Sequence, residues 1–97
     1  MAKVKIITDR EESADIIRSA MSAEIKRLEV GLNSTNKEIE KFESQYKIAS
    51  ENFLKNFTAD DLRGGDNEYI RWAGELKIRD RILEDLRRLK DIEYVAD

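Results

Sequence analysis

Ile25-Lys26-Arg27-Leu28-Glu29-Val30-Gly31-Leu32-Asn33-Ser34-Thr35-Asn36-Lys37-Glu38-Ile39-Glu40-Lys41-Phe42-Glu43-Ser44-Gln45-Tyr46 is the stretch on which the fold turns. Within it Ile25, Leu28, Leu32, Thr35, Ile39, Phe42 and Tyr46 are spaced alternately three and four apart. That heptad rhythm keeps a narrow apolar seam on one side of a helix and on no other regular structure. Gly31 costs about 1 kcal/mol against alanine, too little to break a helix with this much support. Upstream the register loosens. Met21 still fits and Arg18 intrudes, while Ile16, Ile17 and Ala20 suggest a wider face. Thr8 stands three before Glu11 and Asp9 three before Glu12, the capping-box pattern that starts a helix. The spacing predicts one helix from there to about Gln45, roughly 50 Å long at 1.5 Å per residue.

Downstream, Ser50 can cap a short helix bearing Phe53, Leu54 and Phe57, and Gly64-Gly65 ends the insertion. Asp66 or Asn67 then caps a second long helix. Its face is Tyr69, Trp72, Ala73, Leu76, Leu83, Leu86 and Leu89, and it is expected to run to about Tyr94 or Val95. The predicted fold is therefore all-α. Two long antiparallel helices form a hairpin with a short helix between them, and two hairpins would dimerise into a four-helix bundle. Residues 1–8 read as an N-terminal arm or short strand, because Lys3–Thr8 alternates but a lone strand needs a partner. Residues 9–97 form the hairpin domain.

Composition agrees with long exposed helices. Charged and hydrophobic residues each make up 40% of the 97 residues, and there is no proline to interrupt a helix. Two thin helices bury little, so self-association is expected to supply the missing burial, with Ile25, Leu28, Leu32, Ile39 and Phe42 as the dimer interface. Eighteen basic against twenty-one acidic residues give a net charge of −3, which offers nucleic acid no general attraction. The basic residues Lys77 to Lys90 are interleaved with acids, as on a solvated helix face.

Chemistry is hard to find. Without cysteine or histidine the chain lacks the commonest metal ligands and the commonest general base. The acidic cluster Asp60, Asp61, Asp66 and Glu68 does not match a calcium-loop spacing. No nucleophile–base pair stands out, so no enzyme, metal or cofactor is expected. Neither a membrane span nor a signal-peptide core is visible, and a cytoplasmic protein is expected. The aromatics are more informative. Phe42, Phe53 and Phe57 read as a small core locking the insertion onto the hairpin. Tyr46, Tyr69 and Trp72 are candidates for contact with a partner, since such side chains are enriched at binding hot spots, and Leu76 is a candidate beside them.

One further pattern runs through these residues. Phe42-Glu43-x-x-Tyr46-x-Ile48, then Ser50-x-x-Phe53, Phe57, Asp60-Asp61, Asp66, Tyr69 and Trp72-Ala73-Gly74-Glu75-Leu76 resembles small prokaryotic all-helical antitoxin-like proteins, the partners of small toxins. The likeness covers roughly residues 25–90. Ile48 stands where methionine is commoner, and the diglycine loop is unusual. The resemblance implies a module that neutralises a small toxin by covering it with apolar helix faces. The competing expectation is a structural or adaptor helical-bundle homodimer with no toxin partner.

Overall fold

The computed structural model describes residues 4–56, 62 and 65–96. Strand β1 (Lys5–Thr8) leads into helix α1 (Glu11–Tyr46); a short helix α2 (Ser50–Asn56) follows, then helix α3 (Gly65–Lys90) and strand β2 (Glu93–Ala96). α1 and α3 pack against each other along their length. Early residues of one meet late residues of the other: Glu29 approaches Lys90, Gly31 faces Ile82, and Phe42 stacks on Trp72. The hairpin is antiparallel, as the spacing requires, and the molecule measures 58 × 25 × 18 Å.

α1 starts without the expected capping box. Arg10 occupies the cap position with extended backbone and no side-chain cap bond. Thr8 belongs to β1, and its hydroxyl donates to the Arg10 carbonyl at 3.1 Å. Asp9 accepts instead from the Ser13 hydroxyl at 3.2 Å. Both candidate caps are thus engaged elsewhere, and Glu11 and Glu12 satisfy the positive first turn electrostatically. At the other end Lys47 takes a left-handed conformation (φ 54°), and the Ile48 N–H turns back to the Glu43 carbonyl at 3.2 Å.

Gly31 sits mid-helix with ordinary angles, and a Cβ there would lie 3.6 Å from Ile82 Cδ1, a normal van der Waals distance. Gly31→Ala is therefore expected to stabilise the fold by about 1 kcal/mol. Urea unfolding would show a higher midpoint at unchanged slope. A lower midpoint would mean that the two helices cannot accept a methyl group between them.

α3 begins at Gly65, whose positive φ of 60° a side chain rarely adopts, one residue ahead of the expected Asp66 cap. It ends earlier than its periodicity suggested. After Lys90 the Asp91 and Ile92 amides bond three residues back, tightening the last turn, and the chain extends into β2. Residues 94 and 95 are strand, not helix. β2 pairs in parallel with β1 in the register Lys5–Glu93, Ile6–Tyr94, Ile7–Val95 and Thr8–Ala96. The chain is therefore mostly helical but not all-α. The N-terminal stretch becomes a strand because the opposite end of the sequence supplies the ladder that neither end has alone.

Candidate functional site

The core is concentrated at the closed end of the hairpin. Trp72 on α3 is wholly buried, as is Phe53 on α2. Their rings stack at a centroid distance of 3.9 Å and 3° between planes. Phe42 and Tyr46, both on α1, add nearly parallel rings at 5.5 and 5.9 Å from Trp72. Tyr69 tilts onto Phe53 at 5.1 Å, and Leu62, Ile39 and Leu76 close the cluster. A seven-residue helix is unstable by itself, so α2 exists because Phe53 anchors it here.

A polar chain runs through the same cluster. The Trp72 indole N–H donates to Ser50 Oγ at 2.9 Å, and that hydroxyl donates to Glu43 Oε2 at 2.8 Å. The Ser50 backbone N–H reaches the same carboxylate oxygen at 2.9 Å. One relay of bonds thus ties α3 to α2 to α1. Nearby, Glu68 accepts from the Tyr46 hydroxyl at 2.7 Å and from Gln45 Nε2 at 2.9 Å. The Arg71 guanidinium lies 5.8 Å from the centre of the Phe42 ring and 3.8 Å from Glu38. Among the described residues no buried side-chain polar atom lacks a hydrogen bond. The cap is closed and satisfied.

This geometry relocates several residues singled out by the sequence. Trp72 and Leu76, candidates for facing a partner, are buried inside the chain. Tyr46 and Tyr69 pack on the cluster half-buried, with the Tyr46 hydroxyl given to Glu68. Phe53 is core; Phe57, Asp60 and Asp61 lie outside the described residues. Leu28, Ile39 and Phe42 of the seam are covered within the single chain, so that part of the seam joins α1 to α3 and is not a free surface for a second copy. Ile25 and Leu32 are only partly buried. The spacing did not reveal Ser50 as the hub of a network. The signal was present in the pattern Phe-Glu-x-x-Tyr, Ser-x-x-Phe, Tyr, Trp, whose members converge on this one cap.

Below the cap the cover of the same stripes becomes uneven: Leu28 and Leu86 stay buried, while their neighbours open. Leu76 and Leu83 are seven apart and so share a side of α3. Leu76 is 3% exposed and Leu83 is 46% exposed. On α1, Ile39, Leu32 and Ile25 form a matching row. Ile39 is buried, and the two below it are only partly covered. α1 also carries a separate row at the same spacing, Ile16, Ala23 and Val30. Ile16 is 70% exposed, Val30 66% and Ala23 open as well. At the strand end Val4 and Ile7 are exposed too.

The charged surface is largely self-engaged. Glu84 bonds to Arg87 and Arg88, at 2.6 and 3.0 Å, and these bonds, Arg87 foremost, hold its carboxyl below the usual range. Arg27 does the same for Glu24. Arg81 pairs with Asp85 at 3.4 Å. Arg81, Arg87 and Arg88 of the basic stretch thus already have carboxylates beside them. Among the described residues no three acids, histidines or cysteines converge as a metal site, and no helix is long and apolar enough to cross a membrane. Compared with known protein families, curated proteins and solved structures, the chain matches none.

Proposed function

We propose that this chain is a non-catalytic, antitoxin-like binding module that covers a small toxin protein through apolar helix faces, in the cytoplasm. The observation that carries the reading is the row Ile16, Ala23 and Val30 on α1. These residues have no covering neighbour within the chain, yet two of the three are large and β-branched. Anchors one heptad apart along a rigid helix are what a hydrophobic groove accepts. A continuous 36-residue helix presents them already ordered, without further ordering cost. The resemblance of the cap motif to antitoxin-like proteins gives the partner its class.

The test is co-purification from the native cell under mild conditions, followed by expression of any small companion alone. The companion is expected to arrest growth, and co-expression of this chain to restore it. Ile16→Asp with Val30→Asp changes only exposed positions and should abolish both capture and rescue while leaving helicity intact. A chain that purifies without a toxin-sized companion, or a double variant that still rescues, would contradict the reading. The alternative, a structural or adaptor homodimer with no toxin, draws on the uncovered Leu83 side of the hairpin.

A further inference from the structure

The 97-residue chain exposes 7136 Å². A compact monomer of its mass exposes about 5,700 Å² by the usual scaling of surface with size. The excess is about 1,400 Å², more than the roughly 800 Å² that each partner contributes to a standard stable interface. The radius of gyration tells the same story: 18.8 Å, where a compact fold of this length has about 12.5 Å. Part of the surplus lies along the hairpin below the cap, where Ile78 and Leu83 of α3 are exposed. At the closed end, Phe53 and Leu62 complete a cluster with Ile39 and Leu76. One heptad further along, at the equivalent positions, Leu83 is exposed and Leu32 only partly buried, and Ile25, also partly buried, continues the row.

We infer that a second copy of this chain seats on the Ile25–Leu32–Leu83 surface, so that two hairpins complete a four-helix bundle below their caps. The occupant follows from the area and from the shape of what is missing. The incompletely covered rows belong to the same heptad repeat that already joins α1 to α3. A second hairpin carries the same repeat, and a two-fold arrangement would cover both copies' rows at once. The interface differs from the one expected from sequence, because Leu28, Ile39 and Phe42 are already covered from within. It also does not depend on the toxin-binding reading, which concerns the Ile16–Val30 row.

Sedimentation equilibrium of the purified full chain tests it, with circular dichroism on each sample. The wild-type chain is expected at twice its monomer mass across the micromolar range. Leu83→Glu would place two charges in a desolvated contact and should give a monomer with helicity retained. Should that variant unfold, Leu83→Ala decides, with association weakened about ten-fold or more and an unchanged spectrum. Val30→Glu should remain dimeric. A monomeric wild type overturns the inference, and so does a dimer indifferent to Leu83→Ala. A dimer that captures no toxin would sink only the antitoxin reading, and a monomer that captures one would sink only the second copy.

Discussion

Trp72→Ala is expected to lower the unfolding free energy by about 3–5 kcal/mol, the cost of emptying a buried aromatic site. Domains of this size have only about 5–15 kcal/mol in total, so the variant should be largely unfolded or close to it at ambient temperature. The reason is convergence. Trp72 is wholly buried, three rings stack on it, and its indole N–H holds the Ser50 hydroxyl that holds Glu43. Trp72→Phe separates the two contributions. It keeps a ring for stacking and loses the N–H donor, and should cost clearly less than the alanine variant. The lost hydrogen bond by itself is worth about 1 kcal/mol. Urea unfolding of the pair reads both. Equal losses in the two variants would mean that the hydrogen bond, not the stack, holds the cap.

Phe53→Ala should cost about as much, 3–5 kcal/mol by the same reasoning, but through a different part of the molecule. Phe53 is the wholly buried residue of α2, and a helix of seven residues does not persist unanchored. The variant should lose the helical signal of α2 and admit water to the face of Trp72 that Phe53 covers. Tryptophan fluorescence should shift to the red even under conditions where the hairpin survives. An unshifted emission would show that Trp72 is sealed by something other than this ring.

The long hairpin was legible because heptad spacing over Ile25–Tyr46 admits only a helix, and because α3 repeats a matching face. The destination of the seam was not. A heptad row states that a second helix lies against it, and is silent on whether that helix belongs to the same chain. Leu28, Ile39 and Phe42 turned out to face α3. The aromatic residues were ambiguous for a related reason. Tyrosine and tryptophan serve both buried clusters and binding surfaces, and only the position of α2 made Trp72 interior.

Strand β2 was illegible because Ile92 extends the helical period of α3 while Glu93-Tyr94-Val95 also suits a strand. The choice is made by pairing with β1 from the far end of the chain, a contact that no local pattern encodes. Thr8 was misread with it. Its place in the ladder, not its hydroxyl, decides its role, and so the expected capping box never forms.

Apolar surface is sealed at one end of the hairpin and only intermittently covered along the rest of a single chain, where Leu28 and Leu86 are buried but Leu83 is exposed. Amide hydrogen exchange of the chain diluted to a monomer, followed residue by residue along α1 and α3, tests it most directly. Amides around Ile39–Tyr46 and Tyr69–Leu76 are expected to exchange slowest, with protection falling through Ile25–Leu32 and Ile78–Leu89. Uniform protection along both helices of the dilute monomer would contradict the claim.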